Sequence, residues 1–408
     1  MKALLITPLL LATFISNAWA IGDEKQNGGD VVACDAANPN NFELLDLYEA
    51  KTLHQLSLVP AKGTTVETIF EESMQTYESI DPIRASLYRD YMKSFAAEAR
   101  FVPDSDFTDV PDEGFKAPPK DCTLRQIVVQ YDSPAPNGTR YMVNQDLWNH
   151  LNEENRAALL IHEFMYREGR KPQNNFRTSS GVRYLNGLIH STKMKNMTIE
   201  EYVREMRAVG FQEIVIQGQP LVLFTWNSDK TQKTPQDIDF HTNGKVAQAT
   251  LASHFYLPGV STGEISCRQE IKKEHNISFF ASGSVATINI GCENLAYSFH
   301  TNGIEGYFSG SSYLYDESGH ILQIDADNFK GSNFRYWSSK VHIDGVNFAQ
   351  PNGISVTLYP NGNPKEVWAT SMERWSLQKN INGQWQDFTS VADTIDFNLD
   401  GDLQTSAP

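Results

Sequence analysis

The spacing of apolar and polar residues changes period about halfway along the chain. Before residue 225 it is mostly helical, and after 238 it mostly alternates. From Phe42 to Leu58, apolar residues at 42, 44, 45, 47, 48, 53 and 56 follow a helical period, and a second helical stretch covers 66–101 with a break at Pro82. Residues 122–131 alternate and are rich in Val and Ile, which predicts a strand. Pro134-Ala-Pro-Asn-Gly138 supplies turn chemistry, and Arg140 to Val143 the returning strand. Asn152 is placed to cap a helix whose first turn holds Glu153 and Glu154. That helix is apolar almost without interruption from Ala157 to Met165 and is closed by Pro172, so it must be buried. Thr198 and Glu201 make a capping box for a last helix, running to about Val209 before Gly210.

The polar stretch 226–237 reads as a linker. Beyond it, Phe240-His-Thr-Asn-Gly244 recurs as Phe299-His-Thr-Asn-Gly303 and as Leu358-Tyr-Pro-Asn-Gly362, both times after 59 residues. Related turns stand at Asp316-Glu-Ser-Gly319, Asn382-Gly383 and Asp400-Gly401. Asn-Gly between alternating strands predicts type I′ hairpins, in which both central residues take positive φ. The fold class expected is an α+β domain over 21–225 with a buried central helix, then an all-β antiparallel hairpin-repeat domain over 238–408.

The first twenty residues change the picture of where this chain works. Lys2, the apolar run from Leu4 to Phe14 and Ala18-Trp19-Ala20 have the layout of a signal peptide cleaved after Ala20. No later segment approaches the ~20 apolar residues of a membrane span. The protein is therefore expected to be exported, to the periplasm or beyond. The net charge is −16, or −17 once Lys2 is removed, which disfavours nucleic acid and anionic lipid as partners. Four cysteines in an oxidising compartment suggest two disulfides. Of the three pairings, Cys34–Cys122 with Cys267–Cys292 keeps each bridge inside one proposed domain, and no Cys-x-x-Cys pair suggests a zinc cage.

Candidate chemistry concentrates in Leu159-Leu-Ile-His162-Glu163-Phe-Met-Tyr166-Arg167-Glu168. This segment resembles the active helix of zincin metallopeptidases, His-Glu-x-x-His, whose two imidazoles bind zinc while the Glu activates a metal-bound water. The resemblance implies His162 as a metal ligand and Glu163 as general base, with Tyr166 where the second His stands and Arg167 beside it. The region 30–190 also resembles exported bacterial proteins whose helix reads His-Glu-x-x-Tyr, a degenerate zincin-like pattern with no activity to carry over. His190, 28 residues after His162, is the candidate second ligand among His54, His150, His162 and His190. Glu200 and Glu201 are possible carboxylate ligands, though Glu201 reads more simply as a cap.

A structural reading stands beside the catalytic one. Glu163 and Arg167 have the i, i+4 spacing of a helix ion pair, and His162 and Tyr166 share a face on which they would pair. Elsewhere, the strand aromatics Phe279, Phe280, Tyr307, Phe308, Tyr313, Tyr315, Tyr336 and Trp337 would line a sugar-binding face or, more simply, a core. His241 and His300 read as turn-flanking residues, and Asp396 to Asp402 lacks calcium-loop spacing. The aromatic-x-x-Asn-Gly turns resemble those of MORN-type and antitoxin repeats, which implies a binding surface for protein or cell-wall ligands. The expectation is an exported envelope protein that joins a degenerate zincin-like domain to a β binding module. The alternative is a metal-dependent hydrolase, a peptidase or amidase using the His162-Glu163 helix, with zinc as the metal that the resemblance implies.

Overall fold

The computed structural model describes residues 26–404, apart from residues 28 and 401 and all or parts of 35–41, 104–116, 133–137, 172–177, 228–231, 257–274, 291–296, 302–303, 309–310, 327–332, 338–340, 346–353, 370–374 and 389–393. The signal-peptide segment and Cys267–Cys292 lie outside the described residues. No described helix is long and apolar enough to cross a membrane.

The described helices lie in the first 209 residues: α1 (Leu45–Thr52), α2 (Val66–Glu78), α3 (Pro82–Glu98), α4 (Gln145–His150), α5 (Glu153–Gly169), α6 (Ser180–Ile189), α7 (Thr192–Lys195) and α8 (Ile199–Val209). Their ends follow the chemistry of the sequence. Asn152 accepts a hydrogen bond from the Asn155 amide at the start of α5, Thr198 and Glu201 cap α8 reciprocally, and Gly210 ends it with φ of 105°. The break at Pro82 is real: Asp81 caps α3, and the proline occupies its first turn, where no amide is needed.

Two small sheets complete this α+β part. One runs in the order Gln26–Asn27, Val128–Gln130, Tyr141–Asn144, Ala99–Val102, antiparallel except for its last pair. The other runs Phe42–Leu44, Asp30–Ala33, Thr123–Gln126. The helix expected from Phe42 is thus a strand followed by a shorter helix. The Leu44 amide donates to the Asn155 side chain of α5 at 2.7 Å, which draws residues 42–44 out of the helix and into the sheet. Cys34 and Cys122 form the expected disulfide, closing 88 positions, a constraint on the unfolded chain of roughly 4–5 kcal/mol.

Stretch 226–237 contributes to a hairpin, Phe224–Trp226 against Lys233–Pro235. Beyond it lie a ten-stranded and a six-stranded sheet, antiparallel throughout. The ten-stranded sheet has two distinct faces. Ile277, Ile288, Tyr313, Ile324, Val356 and Val367 occupy one cross-strand row and are buried. The neighbouring row, on the opposite face, holds Asn276, Asn289, Ser312, Asp325 and Ser355, half-buried. Asn289 donates to Asn276 at 2.6 Å and Ser312 to Asn289 at 2.7 Å, forming a polar ladder. Phe279, Tyr313 and Tyr315 are core residues, which leaves no sugar-binding stack among them.

The matching turns behave differently from expectation. Those at 240–244 and 358–362 belong to the ten-stranded sheet, whereas Phe299 to Thr301 lie in a strand of the six-stranded one, with Asn302 and Gly303 outside the described residues. Within the larger sheet, turn glycines recur at 244, 283, 319 and 362, each with φ between 80° and 94°. Only the glycine is left-handed in these turns, and the strand register shifts just beside each. They are three-residue loops with a glycine bulge, not type I′ turns. Asn382-Gly383, with φ of 55° and 85°, is the pair that fits type I′. The Asn of the motif reaches the next hairpin: Asn243 donates to the Ala281 carbonyl and Asn361 to that of Leu399, each 38 positions on. His241 contacts the Phe279 carbonyl through Nε2 at 2.9 Å over the same interval, so it staples turns together.

Candidate functional site

α5 is enclosed by α1, α2, α3 and α6. Two close approaches set this geometry. A Cβ on Gly187 of α6 would stand 2.6 Å from the Ala50 Cβ of α1, and one on Gly29 would stand 2.2 Å from the Leu159 side chain. The Ala50 Cβ cannot rotate away, so Gly187 is required where it is, whereas at Gly29 the Leu159 side chain would have to move. Polar residues on three helices converge as a result: Asp46 and Glu49 from α1, His162 and Glu163 from α5, Arg183 and Asn186 from α6.

His162 is 0% exposed, and its Nδ1 lies 2.8 Å from Asp46 Oδ2. Asn186 donates to the same oxygen at 2.7 Å and to the Ala158 carbonyl at 2.8 Å. Burial opposes the charged imidazole, but the adjoining Asp46 carboxylate outweighs it and pushes the His162 pKa up to about 9. Asp46 moves the other way: burial alone would raise it, and His162 and Asn186 bring it below its ordinary value. The two therefore form a buried ion pair in which Nδ1–H donates. Beside it, Arg183 donates through Nε to Glu49 at 2.8 Å and through Nη1 to Ser179 at 2.7 Å.

Glu163, also 0% exposed, turns away from this pair. Its Oε1 accepts from the Gly29 amide at 2.7 Å and its Oε2 from Gln130 Nε2 at 2.9 Å. Burial raises its pKa despite the nearby His162. Tyr166 is buried with its ring 6.2 Å from that of His162, whose hydrogen-bond partner is Asp46 rather than this phenol. Arg167 does not pair with Glu163 as its spacing suggested. It donates to Glu98 at 2.9 Å and stacks over Tyr91 at 4.0 Å, because Gly29 and Gln130 already fill the Glu163 carboxylate.

His190 caps the end of α6 and is 7% exposed; burial holds its pKa down at about 4. Glu201 serves as the capping residue of α8 and Glu200 is exposed. Among the described residues no group of three or more His, Cys, Asp or Glu side chains is arranged to hold a metal ion. The zinc that the zincin resemblance implies does not fit here, since no set of three ligands forms around His162 among the described residues and Tyr166 stands where the second imidazole would be. One feature does match metal-site practice: ligating histidines commonly give one ring nitrogen to a carboxylate, as His162 does to Asp46. Its Nε2 has no partner, nor do Asp46 Oδ1, Asn186 Oδ1 and His190 Nε2, among the described residues.

The residues that sequence reasoning missed are Asp46, Asn186, Gln130 and the Glu49–Arg183 pair. Asp46 sits between Leu45 and Leu47, and Arg183 and Asn186 lie among Val182, Leu185 and Leu188, so a polar residue at an apolar helical position was the available signal. No family model matches this chain, and no curated protein matches it.

Proposed function

We propose that this chain is an exported envelope protein in which a catalytically inactive, zincin-like helical part carries a β module that binds protein or cell-wall material. The observation behind the first half is the enclosure of His162 and Glu163, with both Glu163 oxygens held by Gly29 and Gln130. A general base must reach substrate or water, whereas this carboxylate is fully buried and turned to two protein donors. Support for the second half is the two-faced sheet, whose outer face offers a ladder of Asn, Ser and Asp side chains for hydrogen bonding.

The test assays the mature chain for amine release from peptides and from peptidoglycan, with and without added zinc, alongside sedimentation with isolated cell walls. Co-sedimentation without hydrolysis is expected. Zinc-dependent hydrolysis lost in His162→Ala would overturn the proposal. It would favour the second reading, a metal-dependent hydrolase, for which the Asp46–His162 geometry and the unpartnered Nε2 speak.

A further inference from the structure

A cavity of about 490 Å³ lies between α2 and the corner joining α6 to α7. Its walls are fixed by backbone pairing. The Val59 amide donates to the His190 carbonyl at 2.8 Å and the Thr192 amide to that of Ser57 at 2.9 Å, clipping 57–59 to 190–192. The size falls within the range of small-molecule sites. Ile69 and Ile189 supply an apolar wall, while Lys62, Glu72, His190 and Lys195 supply polar groups.

These polar groups keep atoms to spare, whereas the hydroxyls of their neighbours are taken up. Ser73, Thr76 and Ser79 spend their hydroxyls on backbone carbonyls of their own segment, those of Ile69, Glu72 and Thr76. Glu72 accepts the Lys62 amide on Oε2 at 3.0 Å, and Oε1 has no protein donor among the described residues. Neither the Lys62 nor the Lys195 ammonium forms an ion pair among the described residues. Nor does the buried His190 Nε2 have a partner there. A buried polar atom left without one is unfavourable, so a cavity lined by such a residue is better suited to a ligand than to nothing.

We propose that this cavity binds a small zwitterion of amino-acid type with an apolar side chain. The ligand carboxylate lies toward Lys62 and Lys195, its ammonium toward Glu72, its side chain on Ile69 and Ile189, and His190 contributes a hydrogen bond. Charge of both signs around an apolar wall selects such a molecule over a simple anion, which Glu72 repels, and over a simple cation, which the two lysines repel. His190 is neutral at physiological pH, so it adds a hydrogen-bonding group without adding charge. This site is separate from the β module and does not depend on how the His162 helix is read.

Calorimetric titration of the full mature chain with leucine, N-acetylleucine and leucinamide tests it. Leucine should bind saturably, and each analogue, lacking one charge, about tenfold more weakly or worse. Lys195→Ala should weaken leucine but not leucinamide, a cation that the lysine repels. Glu72→Gln keeps an acceptor for the Lys62 amide and should weaken leucine but not N-acetylleucine. These exposed or partly exposed positions allow the variants to fold even where His190→Phe does not. No saturable leucine binding at millimolar concentration, or equal binding by both variants and wild type, overturns the inference.

Discussion

The same helix, α5, carries two buried polar clusters that solve one problem in opposite ways. At its C-terminal end Glu168 accepts Arg84 Nε through both oxygens at 3.0 Å and the Tyr88 hydroxyl at 2.7 Å. Arg84 spends Nη1 on Asp81 and Tyr202 and Nη2 on the Glu213 carbonyl, while its guanidinium lies 4.5 Å over Phe211. Tyr202 completes the circuit to Asp81 and Tyr77. No side-chain atom of this set lacks a partner. Two turns earlier, the cluster at His162 leaves Asp46 Oδ1, His162 Nε2 and Asn186 Oδ1 without one among the described residues. Each such atom costs ~1–3 kcal/mol if it stays dry. A closed network is what stability alone selects. An open one is where ordered water or a function has a place.

Opening the closed cluster should have the largest effect. Arg84→Met removes the one cation that Asp81 and Glu168 share, stranding two buried carboxylates. The expected loss is about 3–5 kcal/mol. Urea unfolding followed by the helical circular-dichroism band reads it, since every described helix lies before residue 210. A loss below about 1 kcal/mol would mean the network relaxes or hydrates, and the contrast with His162 would disappear.

The open cluster should instead announce itself through pH. His162 is raised to about 9 from 6.5, so its contribution is fully present below pH 6.5 and is lost as pH rises through 9. His190 is lowered to about 4, so below pH 6.5 the unfolded chain takes up its proton first, and stability falls toward pH 4. Stability should therefore peak near pH 6.5, with an alkaline limb worth roughly 3 kcal/mol from His162. Asp46→Asn removes the counter-charge and should flatten that limb while leaving the acid limb of His190 in place. Urea midpoints at pH 5, 6.5 and 9 for both proteins decide it, and an unchanged alkaline limb in Asp46→Asn would assign the slope elsewhere.

How much of this was legible beforehand depends on how local each cause is. The caps at Asn152 and Thr198 were readable because a cap is settled within four residues. The buried helix was readable from a centre apolar but for His162 and Glu163. Asp46 carried only the faint mark of an acid between Leu45 and Leu47, and its role was not legible because its partners lie 116 and 140 positions away. Arg167 misled for the same reason: the local rule offered Glu163, and the fold offered Glu98. The Asn-Gly turns were found, yet their type was not, since the dipeptide serves both type I′ and bulged loops. What Asn243 does depends on a hairpin 38 positions further on, which no single turn contains.

That last arrangement adds a third case to the comparison, a polar network that is closed but exposed. Asn243 gives Nδ2 to the Ala281 carbonyl at 2.7 Å, and its Oδ1 accepts the Lys245 amide at 3.1 Å. Here water replaces a lost partner, so Asn243→Ala should cost only about 0.5–1 kcal/mol, several-fold less than Arg84→Met. The effect should appear in the neighbour as well as in the altered turn. Gly283 donates its amide to Phe280 at 2.8 Å across the receiving turn. Exchange of that amide should quicken by roughly threefold, with the Gly319 amide one hairpin further on unchanged. If only the 241–245 turn loosens, the Asn side chain serves its own loop and the hairpins are held by strand pairing alone. Equal loosening at Gly319 would mean that the turns act as one cooperative row, and the burial argument that ranks these three networks would have to include the whole edge of the sheet.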